Sequence, residues 1–169
     1  MKKTFLMVIF LPLFTTGCAS IYTSSNAISD FKPKSVSDEE TRNLLIGTWQ
    51  GSQSTKEGGK REELCTRYPN GTYETEFLSF DAAGVVSKQK EVGVWGVSGS
   101  IYFSIFSGWV IDGRLVPADR SDSYSYDAYD IISLDGDVFV YKHVRIGDEY
   151  RVKRVSKAFT LDDDKSHKQ

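Results

Sequence analysis

Cysteine and histidine are scarce in this chain, with two of each among 169 residues. So few cysteines exclude a disulfide framework, and the two histidines, His143 in a strand-like run and His167 near the end, sit in no metal-ligand spacing. Basic charge is not in excess either: 21 Lys and Arg against 23 Asp and Glu leave the chain at −2. A mildly acidic chain gives no electrostatic reason to expect nucleic acid as a partner. An apolar run of spanning length is also missing, because Phe5 to Phe14 supplies about ten residues where a transmembrane helix needs about twenty. Beyond Leu45, helical periodicity is almost absent.

What is there begins with that short apolar run. Lys2 and Lys3 precede it and Thr15-Thr16-Gly17-Cys18 follows, which is the order of a charged region, an apolar region and a small-residue junction in a secretory leader. Over residues 1–18 the segment resembles the signal of a bacterial lipoprotein, with Thr15 where that family usually carries leucine. The resemblance implies cleavage before Cys18, a thioether-linked diacylglycerol on that cysteine and acylation of the new amino terminus. Ala19 after the cysteine, by resemblance to enterobacterial sorting rules, implies the outer membrane, facing the periplasm. An ordinary secretory leader is the alternative. Loss of residues 1–17 removes two lysines and no acids, which moves the formal charge to about −4. Cys65 then has no intramolecular partner, and its place in the alternation Glu63, Cys65, Arg67 reads as a small strand residue rather than a nucleophile.

Residues 18–36 are rich in Ser, Thr, Asn, Lys and Pro and read as a tether between lipid and domain. Ser37 with Glu40 forms a capping-box pattern, so Asp38 to Leu44 are expected to make a short helix. The domain spans residues 37–159, and residues 160–169 read as a polar C-terminal tail. Between Gly47 and Phe159 the chain runs in segments rich in Val, Ile, Tyr, Phe, Thr and Trp, punctuated by Gly, Asn and Asp. Strands are expected at Gly47–Ser54, Lys60–Tyr68, Thr72–Phe80, Val85–Glu91, Val92–Val97, Ile101–Ile111, Tyr124–Ser133, Val138–Ile146 and Glu149–Phe159, two of them as one bent strand. Short turns make consecutive strands antiparallel neighbours, and closure removes the edges of an open sheet. The expected fold is all-β: an antiparallel up-and-down barrel of about eight strands with a short N-terminal helix.

At the entry to the first strand, Leu45-Ile46-Gly47-Thr48-Trp49-Gln50-Gly51 resembles the opening of lipocalin-like domains. The resemblance implies a barrel whose closed end is plugged by Trp49, with an arginine of the last strand, Arg151 or Arg154, packed over it. That family's later Thr-Asp-Tyr triplet is absent unless Tyr126-Asp127-Ala128-Tyr129-Asp130 is a remnant. Ser98-Gly99-Ser100-Ile101-Tyr102 is similar to the loop that membrane-bound inhibitors of c-type lysozyme insert into the enzyme, although it reads first as ordinary hairpin chemistry.

Ile101 to Ile111 carries apolar residues on both strand faces. Alternation separates Phe103 and Trp109, taken as inward ligand-binding candidates, from Tyr102 and Phe106, taken as an outward partner patch, unless a bulge intervenes. The loop Asp112 to Ser123 follows, and beyond it Tyr124 and Tyr126 are further ligand-binding candidates at the barrel mouth. Asp119, Asp122, Asp127 and Asp130 read as turn-forming or solvated acids rather than a calcium loop. Arg151, Lys153 and Lys157 share a face that reads as solvated, with a weak attraction to anionic head groups as the alternative. No nucleophile, base and orienting group form a recognisable set, and His143 has no visible partner in sequence, so neither catalysis nor a cofactor is expected. The expectation is a non-enzymatic envelope lipoprotein that binds a small hydrophobic ligand in an apolar cavity of roughly 300 Å³ or more. A protein-interaction or inhibitor module and a structural envelope component are the alternatives, with an envelope protein as partner.

Overall fold

The computed structural model describes residues 36–55 and 57–161. Cys18, the tether as far as Ser35 and the tail from Asp162 lie outside the described residues. Helix α1 (Val36–Leu45) leads into β1 (Gly47–Ser54), β2 (Lys60–Arg67), β3 (Thr72–Phe80), β4 (Val86–Ser98) and β5 (Ile101–Ile111). There follow β6 (Arg114–Pro117), β7 (Tyr126–Leu134), β8 (Val138–His143) and β9 (Glu149–Val155). Every pairing is antiparallel: β1 to β5 form a meander, β5 continues to β7, β8 and β9, and β9 returns to β1. Eight strands therefore close into an up-and-down barrel, and β6 pairs with the second half of β5 outside the closed ring. Closure satisfies the ladder groups that an open sheet would leave on two edges.

Boundaries that depart from the sequence reading have local causes. The two strands expected between Val85 and Val97 are one strand, β4, whose register with β5 shifts between Val92 and Gly93. Val92 faces Gly108 and Gly93 faces Phe106, so Ser107 is the extra residue of a bulge. Part of the long loop folds into β6, and Asp122 then caps a 3-10 turn at Ser123–Ser125, which delays β7 to Tyr126. Strand β8 ends at His143 rather than Ile146 because the His143 Nδ1 accepts the backbone N–H groups of Arg145 and Ile146, at 3.0 and 3.4 Å, and turns the chain. Strand β9 ends at Val155, and Phe159 N–H closes a turn onto the Ser156 carbonyl. Helix α1 starts at Val36, so Ser37 stands inside its first turn rather than ahead of it.

The helix covers one end of the barrel. Asp38 accepts a hydrogen bond from Gly99 N–H at 3.0 Å, and Arg42 reaches the Pro69 carbonyl at 2.8 Å while its guanidinium lies 4.6 Å from the Trp95 ring centre. Beneath it Leu45 and Trp49 are fully buried, with Trp95, Phe139 and Val152 around them. The Trp49 indole N–H donates to the Leu45 carbonyl at 2.9 Å, which satisfies the one polar atom of the plug. Of the two arginines open in sequence, Arg154 packs over Trp49, with its guanidinium carbon 4.4 Å from the ring centre. It donates to the carbonyls of Ile46 (2.8 Å), Leu44 and Gly136, so one side chain ties the helix end and the β7–β8 turn to β9. Gly47 is required there by its φ of +125°, which side-chain-bearing residues rarely adopt, and a Cβ would also crowd Arg154 Nη1 at 2.6 Å.

Candidate functional site

Above this floor, alternation along the strands decides what the barrel contains. On β2 the inward residues are Arg61, Glu63, Cys65 and Arg67; Leu64, between them, takes the opposite face. Strand β3 contributes Tyr73, Thr75 and Phe77, β4 Glu91, and β5 Tyr102 and Ser104. Asp127, Tyr129, Tyr141 and Tyr150 complete the wall from β7, β8 and β9. Together they enclose a cavity of about 250 Å³, which opens beside Ser52, Gln53 and Arg61, the exposed members of the wall. This lining is aromatic, hydroxyl-rich and charged, in contrast to the apolar cavity expected for a hydrophobic ligand.

The tyrosines form a continuous stack because register sets them side by side. Tyr102 faces Tyr129 across β5 and β7, and their rings stack at 5.4 Å; Tyr141 faces Tyr150 across β8 and β9 and stacks at 5.1 Å. Tyr129 and Tyr141 meet edge-on at 5.1 Å and join the two pairs. Such contacts add to the burial of large rings and hold the wall in one shape. Gly93 makes room for this layer, since a Cβ there would stand 2.5 Å from the Tyr73 ring and 2.3 Å from the Ile105 carbonyl.

The charged groups differ in how well the protein satisfies them. Tyr73 donates to Glu91 at 3.2 Å, yet burial outweighs that bond and pushes the Glu91 carboxyl up to about 7. Burial also raises Glu63, against the pull of Arg67 and Arg61 and a hydrogen bond with Tyr141. Asp127 is bonded to His143 Nε2 at 2.9 Å, and His143 is itself 6% exposed. Because Nδ1 accepts two backbone N–H groups, Nε2 carries the proton in the neutral ring, and both nitrogens are engaged. His143 thus has the partner that its sequence neighbourhood did not reveal. Arg67 is 3% exposed; its Nε donates to the Tyr102 hydroxyl at 3.2 Å, while its Nη1 is buried without an acceptor. Cys65 is free and buried, and burial pushes its thiol up, which suits an inert strand residue.

None of the four residues expected from the sequence to bind a ligand lines the cavity, and the parity of β5 and the turn after β6 are the physical reasons. Of the four residues taken as ligand-binding, Phe103 faces away from the cavity and covers Gly96, where a Cβ would meet its ring at 2.4 Å. The Ser107 bulge brings Trp109, opposite Glu91, and Phe106, opposite Gly93, to the inward face, where they pack edge-on at 5.0 Å beyond the residues that line the cavity; Trp109 thus keeps its expected side and Phe106, expected outward, does not. Tyr124 is 74% exposed under Arg145, at 4.6 Å, and Tyr126 donates to the Arg120 carbonyl at 3.0 Å; neither reaches the cavity. Tyr102, assigned to an outward partner patch, is 4% exposed and belongs to the cavity wall and the core. Asp119 and Asp122 cap Ser121 and Tyr124, and among the described residues no group of three or more His, Cys, Asp and Glu is placed to hold a metal.

No family model and no curated protein matches this chain in sequence. Among solved structures it is similar to a lipocalin-like protein from Bacteroides uniformis ATCC 8492, with 11% identity, coverage of 66% of this chain and 99% of that one, and a TM-score of 0.41.

Proposed function

We propose that this protein is a lipid-anchored barrel of the cell envelope, of lipocalin-like layout, that binds a small polar molecule and does not transform it. The observation that carries the reading is the 250 Å³ cavity inside the closed barrel, walled by five tyrosines and by charged side chains from β2, β4 and β7. Concave sites with a few convergent polar groups are where small ligands bind, and this wall favours a polar or amphipathic ligand over a hydrophobic one. Binding is favoured over catalysis because His143 has both ring nitrogens engaged and Cys65 is buried with a raised thiol. The inhibitor alternative loses its insertion tyrosine to the core, since Tyr102 is 4% exposed. Anchoring at Cys18, at the outer membrane facing the periplasm, rests on the leader and on Ala19.

Native mass spectrometry of the full chain purified from its own envelope tests both parts. The expected mass is that of a chain beginning at Cys18 with its acyl groups, carrying a small molecule that collisional activation releases. In Cys18→Ser the acyl mass should vanish while the small molecule stays. An unacylated wild-type chain would end the anchoring claim, and a barrel that carries and takes up no small molecule would end the binding claim.

A further inference from the structure

We propose that the ligand of this cavity is a small carboxylate, and that the carboxylate supplies the acceptor that the Arg67 Nη1 lacks within the protein. This rests on the ligand-binding reading above and names the chemistry of its ligand. Arginine stays protonated in proteins, so Arg67 holds a full positive charge in the barrel. Its surroundings offer one hydroxyl, from Tyr102, and two ring faces, Tyr102 and Phe139, whose centres lie 4.7 and 5.7 Å from the guanidinium carbon. Nη1 has no acceptor, and among the described residues no carboxylate forms an ion pair with Arg67. A buried donor left without an acceptor is costly, and Glu63, which feels the Arg67 charge, does not supply one.

The acids in the same wall do not fill this role, because each is engaged with another group. Asp127 is bonded to His143, Glu91 accepts from Tyr73, and Glu63 is hydrogen-bonded with Tyr141. Arg61, the other cation of the wall, lies 3.8 Å from the Phe77 ring centre. What lacks a hydrogen-bond partner in the wall is therefore a guanidinium N–H, while each acid has one, and that asymmetry favours an anion. The planar guanidinium fork matches a carboxylate better than it matches a spherical ion. Size narrows the class further. The cavity holds about eight waters' share of liquid, enough for one ring bearing a carboxylate and too little for a long acyl chain. The tyrosine faces give that ring apolar, flat surface to lie against.

The test uses the full chain in a nonionic detergent with benzoate and its neutral isostere benzamide as probes, followed by calorimetry and by the side-chain NMR signals of Arg67. Benzoate is expected to bind at least tenfold more tightly than benzamide and to move the Arg67 signals. The Arg67→Met variant, which keeps the volume and removes the charge, should bring the two probes within twofold of each other. Should that variant fail to fold, the wild-type signals decide alone: bound benzoate that leaves Arg67 unmoved overturns the proposal. Equal affinities in the wild type would overturn the carboxylate assignment and leave the ligand-binding reading standing. No binding of either probe at tens of millimolar would overturn both.

Discussion

Arg154 and Arg67 sit in the same barrel and are treated in opposite ways. Arg154, on β9, directs its donors to the carbonyls of Leu44, Ile46 and Gly136 and lays its plane on Trp49. Arg67, on β2, makes one hydrogen bond and leaves Nη1 buried without an acceptor. The first is how a cation is used to hold a fold together: it is partly exposed, and every contact is with backbone or ring. The second leaves a buried N–H without an acceptor, which folding alone does not favour because an unmade hydrogen bond in the interior is costly. The closed end is thus built for stability, and the layer above it carries the unsatisfied groups that binding needs.

The largest effect expected from this contrast is at the closed end. Trp49→Ala should cost about 3–5 kcal/mol, since the indole is fully buried and its loss opens a cavity that the surrounding strands cannot collapse into. Urea melts of the full chain in detergent measure it, and a loss below about 1 kcal/mol would show that the floor does not depend on its plug.

Next in size is the pH response of the cavity layer. Glu91 titrates near 7 in the folded chain against an ordinary 4.5, so the folded state holds a proton that the unfolded state has released. The stabilisation from that proton is complete below the unfolded value and is lost as the pH rises through the folded one. Between pH 5 and pH 8 the domain should lose at most about 3 kcal/mol through this group, and Glu63, raised in the same sense, adds to the slope. Glu91→Gln removes this group's contribution, so its melts at the two pH values should lie closer together than those of the wild type. Parallel pH slopes in the two proteins would remove Glu91 from this account.

The closed end was legible in the sequence and the cavity was not. Trp49 stands in a glycine-flanked strand start beside a short helix, a local pattern, and β3 is an aromatic and β-branched run held between Gly71 and Asp81. Strand β6 escaped because four exposed residues ending in Pro117 carry no period. The end of β8 escaped because it depends on a histidine ring bonding backbone farther along. The cavity escaped for a simpler reason. Arg61, Glu63 and Arg67 share one face of β2, and a charged face next to Leu64 reads as the solvated side, the reverse of what the barrel does. On β5 both faces are aromatic, so alternation leaves the inward set undecided, and the Ser107 bulge puts Phe106 and Trp109 together where strict alternation separates them. The signal that was available is the density of tyrosine at inward parity on β5, β7, β8 and β9, which a polar interior explains better than an apolar one.

The smallest expected effect is that of deleting Arg67, and it discriminates most when read against Arg154. Arg154→Met should cost about 3 kcal/mol, because it leaves three carbonyls at the helix end and the β7–β8 turn without their donor. Arg67→Met removes one hydrogen bond to Tyr102, worth about 1 kcal/mol, and at the same time removes a buried N–H that has no acceptor. Those contributions oppose one another, so the variant should melt within about 1 kcal/mol of the wild type or above it. Stability that rises or holds when a buried arginine is deleted is the mark of a residue kept for something other than folding. A loss as large as that of Arg154→Met would mean instead that Arg67 is a structural cation, and that the contrast between floor and cavity is one of geometry alone.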